Sequence, residues 1–527
     1  AQASDGDFMI SKTKGAWSVA ALVKDNEVDS AMNALVTETQ RVKQFGFTPS
    51  EYDRARINVL KQYESLYNDR DKQRNSTFTK EYVRHFTEGG YIPGIETEYA
   101  LISQVAQAVP VEQVNKYIQD MIGDTNIVIS LTGPEKEGLA YPTDEELLRD
   151  FMKAQQIPVE PYRETLSDEP LIPSLPAPGK ITESKEDPLF GATVLTLSNG
   201  IKVVLKHMDF KKDEIQMTAT SPGGSTLFGN KDIDNLKVFN EVIELGGLGN
   251  FSATDLGKML AGKKVSCSTS LGLDSENVNG SSTPSDLKTL FELIYLSFTA
   301  PRMDEEAYAS FENRMKAQLK NLELNPMVAF SDSLTKAIYN NNPRAMRIDP
   351  ADFKNISYPR IMEMYKERFG DASGFVFTFV GNIDTDSIRP LVEQYLATLP
   401  ANGKIEQGNP KEVPAIRKGD YVNRFKRQME TPKASVVNFY SGQMDYNLEN
   451  IVTATMLKQV LDLIYTEKVR EDEGGTYGVQ TSARISSFPE GQTFLQAYFD
   501  TDPDKREKMN TIVRNELKRI SDIGPTP

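Results

Sequence analysis

Apolar residues recurring at every third or fourth position predict helices over 28–45, 50–68 and 111–121, and alternation of apolar and polar residues predicts strands over 16–23 and 126–132. Further along, the same patterns predict a hairpin-like pair of strands at 192–206 and 214–220. They also predict a helix over 304–323, a helix ending at Phe369, and a strand over 375–380. The helices at 50–68 and 304–323 open on Thr, Ser or Asp capping residues followed by acidic first turns.

Laid against each other, "VEQVNKYIQDMIGDTNIVISLTGP" and "SYPRIMEMYKERFGDASGFVFTFVGN" share one order: helix, Gly-Asp, strand, Gly. The Gly-Asp pairs are Gly123-Asp124 and Gly370-Asp371, and the closing glycines are Gly133 and Gly381. A repeat at this scale implies two related α+β units. Between them, residues 157–188 hold seven prolines, which remove backbone donors and restrict their predecessors, so this stretch is expected to be an extended interdomain linker.

A third echo joins "ETQRVKQFGFTP" at 38–49 to "ELKRISDIGPTP" at 516–527. The first copy leads into a long helix, and before it only one strand and one helix are predicted. The expectation is therefore a window cut from a longer protein, with a partial unit at each end.

Composition narrows the chemistry. At about 150 residues per domain, 527 residues make three or four domains, and 39% apolar residues suffice for several cores. Sixty basic against seventy-five acidic residues leave −15, the wrong sign for neutralising phosphate backbones, so nucleic acid is not an expected partner. The sequence has no run of about 18 apolar residues to span a bilayer. With one cysteine, Cys267, and two histidines, His85 and His207, there is no internal disulfide and little means for histidine-based metal or triad chemistry.

The doubled order of strands, long helix, further helices and strand-Gly, set around one linker, resembles peptidase family M16, the pitrilysin and insulin-degrading-enzyme clan. The resemblance implies an α+β fold of repeated M16-type (LuxS/metallohydrolase-like) domains, each an antiparallel sheet packed with helices. It makes residues 1–156 the later part of a second domain and 157–188 the linker. Residues 189–402 become a third, non-catalytic domain, and 403–527 the first part of a fourth. The family's zinc site is H-x-x-E-H on a helix, with the glutamate activating water. Matching "NGIKVVL" and "LGNFSATDL" places the corresponding helix at 235–245 and those five positions at Val238, Phe239, Asn240, Glu241 and Val242. Valine has no lone pair for a metal, so no metal or cofactor is assigned to this chain. Zinc is expected in an N-terminal domain outside it.

In "LIYTEKVREDEGGTYGVQTSARI", apolar spacing predicts a helix ending by Glu473, and Gly474-Gly475 offers the positive-φ turn into a strand. Arg470 then stands in the last helical turn and Tyr477 near the strand's start. Taken alone, such an arginine is a dipole or salt-bridge partner and such a tyrosine is packing. The M16 resemblance instead gives Arg470 a hydrogen bond to a peptide carbonyl, Tyr477 a donor role to a developing oxyanion, and Gly474 and Gly475 a place in substrate binding. "GSTLFGNK" at 224–231 lacks the adjacent Gly-Lys of a phosphate loop, and "SPGGST" at 221–226 is better read as a turn or chamber segment. Asp500, Asp502 and Asp504 lack the glycine and glutamate of a calcium loop, and Cys267 reads as a structural strand residue.

The function implied is the non-catalytic, substrate-chamber portion of a zinc-dependent M16 metalloendopeptidase, inactive as this chain alone. Its partners would be the N-terminal catalytic half and peptide substrates, with the linker as hinge, and relatives suggest the cell envelope or periplasm. The alternative is a catalytically silent M16-like peptide-binding or scaffold protein.

Overall fold

The structure, a computed structural model, describes residues 2–11, 13–123, 125–133, 138–164, 169–322, 325–471, 473–474, 476 and 478–525. The chain divides into two compact units. One comprises Ala1–Ser225, Asp234–Leu319 and Asp349–Gln407, and the other Thr226–Ile233, Lys320–Ile348 and Gly408–Pro527.

The first unit begins with an antiparallel hairpin of β1 (Gln2–Ser11) and β2 (Lys14–Leu22). β1 goes beyond the single strand expected here. Its Asp-Gly-Asp centre is poor strand sequence, and pairing to β2 holds it in place. Six helices follow: Val28–Phe45, Pro49–Asn68, Asn75–Glu88, Ile95–Ala108, Val111–Met121 and Asp144–Ala154. The second, expected from residue 50, starts one residue earlier at Pro49. Thr48 and Glu51 form a reciprocal capping box, and Pro49 fills a first-turn position that needs no N–H.

The strand expected over 126–132 does not form. Its counterpart in the repeat, β9 (Val376–Gly381), lies between β5 (Lys202–His207) and β6 (Ile215–Pro222) and bonds to both. Among the described residues ahead of 126 the only strands are β1 and β2, which bond to each other. Alternation gives a segment the right face, but a strand also needs a ladder.

The centre of this unit is a seven-stranded sheet in the order β3-β4-β5-β9-β6-β8-β7, completed by β3 (Ile181–Asp187), β4 (Ala192–Leu197), β7 (Val265–Leu271) and β8 (Ser275–Ser282). It is mixed rather than wholly antiparallel, because β5 and β9 run parallel. Such a pair needs a long crossover, and more than 160 residues between the two strands supply it. Inward residues of β4, β5, β6 and β9 (Leu195, Val203, Met217 and Phe379 among them) are buried, and helix Leu287–Thr299 covers them. Phe291 stacks on Phe379 at 5.1 Å, and Phe298 meets Phe375 edge-on at 5.0 Å.

The proline-rich stretch needs a correction too. Its last part, 181–187, is strand β3, confined to the sheet's edge. The residues just before it are tied down as well: Leu171 is buried beside Phe251, Leu293 and Leu296, and Gly179 donates its N–H to the Glu393 carbonyl at 3.0 Å.

The second unit holds helix Pro326–Tyr339 and a three-stranded antiparallel sheet in the order β10-β12-β11, formed by β10 (Ala434–Gln443), β11 (Val479–Ser487) and β12 (Glu490–Thr501). Helices Leu448–Tyr465 and Arg506–Ile523 supply Leu461, Tyr465, Met509 and Val513 to its core, and the turn after Tyr465 adds Val469, against Val479 and Phe499 from the strands.

Candidate functional site

The turn that joins helix Leu448–Tyr465 to β11 carries the residues singled out by sequence. Asn447 caps the helix by accepting from the Asn450 N–H, and after Tyr465 the chain widens into a π-turn, Thr466–Glu471. Such turns often mark functional sites. The widening sends two neighbours opposite ways: Val469 into the core and Arg470 to the surface. Among the described residues no side chain pairs with the Arg470 guanidinium.

The backbone beyond Arg470 closes as expected. Gly474 donates its N–H to the Arg470 carbonyl at 3.1 Å and has φ +56°, the left-handed conformation that glycine adopts without strain. Glu473 pairs with Lys508 of helix Arg506–Ile523. Gly475 and Tyr477 lie outside the described residues.

Sequence reasoning missed the anchor beneath this turn. Asp462, two helical turns before Arg470, accepts from the Thr481 N–H at 3.1 Å and also from its hydroxyl. The other Asp462 oxygen takes Lys458 Nζ at 2.7 Å, and Thr481 Oγ1 also reaches the Lys458 carbonyl at 3.1 Å. Burial alone would raise the Asp462 pKa, but these hydrogen bonds outweigh it and hold the carboxyl below its usual value. The anchor fixes the helix against the strand on the far side of the turn. No local pattern in the sequence pairs this acid with that threonine.

Elsewhere the remaining candidates resolve into structure. Gly223 and Gly224 form a tight turn with φ +152° and +82°, and a Cβ on Gly224 would lie 2.5 Å from the backbone of Leu273 and Asp274. The Gly224 N–H donates to buried Glu276 at 2.9 Å. Asp500 accepts from Ser435 Oγ at 2.6 Å, Lys433 Nζ at 2.9 Å and Tyr498 Oη at 2.7 Å, all within its own unit. Cys267 lies in β7, and burial pushes its thiol pKa up to about 12. His207 pairs through Nδ1 with the Ile383 carbonyl at 2.8 Å, and His85 with the Gly90 carbonyl.

Comparison with known proteins matches this architecture. The peptidase M16 inactive domain matches residues 355–527, across the end of the seven-stranded sheet and the Arg470 turn. "Zinc protease PQQL-like" of Arabidopsis thaliana is 23% identical over 502 residues, 92% of this chain and 50% of its own length. "Probable zinc protease PqqL" of Escherichia coli (strain K12) is 20% identical over 511 residues, 94% of this chain and 53% of its own length. These matches make the chain similar to peptidase family M16. It spans about half the length of these curated relatives.

Two solved structures share the M16 fold of this chain over 99% of its length and 57% of theirs. The ferredoxin protease FusC in complex with Arabidopsis ferredoxin has a TM-score of 0.65 at 16% identity, and the periplasmic protease PqqL from Escherichia coli has 0.60 at 17%. The positions that sequence matches to the M16 zinc motif stand on helix Ile233–Val242, where Val238 and Val242 are fully buried apolar side chains and Glu241 is exposed. These residues do not fit a metal. Among the described residues no group of three His, Cys, Asp or Glu side chains converges as a metal site.

Proposed function

We propose that this chain is the substrate-holding portion of a zinc-dependent M16 metalloendopeptidase, working with a zinc site outside these 527 residues. One observation carries the reading. Relatives named as zinc proteases align over more than nine-tenths of the chain, while Val238 and Val242 occupy the positions where a metal would be held. In this reading residues 1–156 are the later part of a second domain, 189–402 a third and 403–527 the first part of a fourth, with 157–188 joining them. The chain alone hydrolyses nothing.

The chemistry assigned to it is auxiliary. Arg470, exposed on its π-turn, donates to a peptide carbonyl, and Tyr477 donates to the oxyanion that forms when that carbonyl is attacked. Gly474, at φ +56°, lets the backbone turn close to the peptide, and Gly475 is assigned to substrate binding beside it. Zinc, when bound in the catalytic half, would polarise the carbonyl and activate water. The partner is that catalytic half, the substrates are peptides, and the periplasmic relative makes the cell envelope the proposed location.

The test uses the chain joined to its upstream region. Arg470→Ala and Tyr477→Phe should each lower kcat/KM for a fluorogenic peptide by about 10² to 10³, as loss of an oxyanion donor does, with unchanged zinc content. Unchanged turnover in both variants would remove the auxiliary role. A joined protein that contains no zinc and cuts nothing would favour the silent peptide-binding relative.

A further inference from the structure

We infer that β11 is the edge on which this chain holds an extended peptide, and that the matching edge of the seven-stranded sheet, β7, is sealed against one. The inference rests on the peptide-holding role proposed above.

Both strands are last in their sheets, so each leaves one row of backbone groups turned away from its neighbour. On β7 that row is occupied. The Thr269 N–H goes to Glu244 Oε1 at 2.8 Å and the Leu271 N–H to Asn240 Oδ1 at 2.8 Å, while the Leu271 carbonyl accepts from Asn240 Nδ2 at 3.3 Å. The Asn240 amide therefore answers one residue's N–H and C=O together, as a neighbouring strand would. Asn240 stands between Val238 and Val242, so the helix that fits no metal instead closes the edge beside it.

β11 repeats half of this device. The Asp462–Thr481 bond is the counterpart of Glu244–Thr269: in each a carboxylate, on the helix for Asp462 and in the turn just past it for Glu244, takes a threonine N–H of the following strand. Beyond Thr481 nothing among the described residues does what Asn240 does. Alternation turns the N–H groups of Ala483 and Ile485 the same way as that of Thr481, and neither has a partner among the described residues. The strand contains no proline, and its pairing with β12 is regular up to Ile485.

The charge selects the occupant. The exposed side chains along this run are Gln480, Ser482 and Arg484, one cation and no anion, and exposed Arg470 precedes the strand. An added strand with an acidic residue opposite Arg484 makes a favourable cross-strand pair, and a basic residue there is repelled. The ligand is thus an extended peptide with a carboxylate among its alternating side chains.

The experiment is fluorescence anisotropy on the whole 527-residue chain. The probe is a fluorescein-labelled ten-residue peptide alternating Thr and Val with one central Glu, and its twin carries Lys there. The Glu peptide should bind at one site and more tightly than its twin. Ala483→Pro removes one outward N–H and leaves the ladder to β12, as edge prolines do, and should weaken binding at least tenfold. Arg484→Glu should reverse the preference between the two peptides, a readout that a folding defect would not give. Asn240→Ala combined with Glu244→Ala should create a second site. Binding that is indifferent to both β11 variants would overturn the β11 assignment while leaving peptide holding intact. No second site in the double variant would overturn the sealing of β7, and no binding by the parent chain would sink the inference and the holding role together.

Discussion

Arg54 and Glu164 are joined by two parallel hydrogen bonds of 2.9 Å, a bidentate pair between the long helix Pro49–Asn68 and the proline-rich stretch. The same carboxylate takes Lys258 Nζ at 3.0 Å and Ser50 Oγ at 2.8 Å, and its side chain is only 5% exposed. The helix continues the attachment along one face: Asn58 accepts from the Gly262 N–H at 2.6 Å, Ser65 takes Lys264 Nζ at 2.6 Å, and Asp69 takes the Lys212 N–H at 2.8 Å. A segment expected to be a free hinge is thus clasped at Glu164 to both of its flanks.

Glu164→Ala should therefore destabilise the chain by about 1–3 kcal/mol, the range for charge-assisted hydrogen bonds left without a partner. Burial raises a carboxyl pKa, but the bonds from Arg54, Lys258 and Ser50 outweigh it and hold Glu164 at about 2. A group lowered in this way contributes its full stability above its unfolded pKa of about 4.3 and loses it as the pH falls toward 2. Urea titrations at pH 7 and pH 3 should show a larger difference between parent and variant at pH 7. An equal difference at both would mean that the clasp is not electrostatic.

Gly474→Ala tests the turn after Arg470. A Cβ there meets nothing within 4 Å, so the whole effect is the positive φ of +56°. The expected cost is on the order of 1 kcal/mol, read as a small fall in Tm of the second unit by calorimetry. Gly474→Asn, which tolerates this conformation better, should recover part of it.

The helices were legible because local chemistry specifies them: the helix expected from residue 50 begins at Pro49, with Thr48 and Glu51 as its reciprocal cap. The strands were legible only where a partner exists. Residues 375–380 found β5 and β6, while 126–132, with the same alternation, found neither, and Asn126 adopts a left-handed φ of +60° instead. β1 escaped for the opposite reason, since its polar sequence hides a strand that exists through pairing alone. At the site, the positions of Arg470 and Gly474 followed from apolar spacing and a glycine. The Asp462–Thr481 anchor did not, because no local pattern shows which acid on a helix will meet which strand nineteen residues later.

Val238→His with Val242→His rebuilds the metal-ligand spacing of the M16 motif and should still give no zinc-dependent hydrolysis in this chain. Both valines are buried in a packed core, and an imidazole placed there without a hydrogen-bond partner loses hydration as well as fit. The double variant should melt at least several degrees lower, and mass spectrometry under native conditions should find no bound zinc. A stoichiometric zinc adduct in a folded variant would show that only the side chains, and not the surrounding packing, had been lost.

Asp462 and Thr481 should behave as one unit in a double-mutant cycle. Asp462→Ala leaves the Thr481 N–H and hydroxyl without their main acceptor and frees Lys458 from its 2.7 Å pair, so a loss of about 1–3 kcal/mol is expected. Thr481→Val keeps the shape and the N–H but removes the hydroxyl, and should cost about 1 kcal/mol. Because the two residues share one bond, the double variant should lose less than the sum, with a coupling of at least about 0.5 kcal/mol. Additive losses would mean that the carboxylate acts only on the backbone N–H. A coupling accompanied by faster hydrogen exchange at Val479 and Thr481 would show that the anchor holds the start of β11 to the helix that carries Arg470.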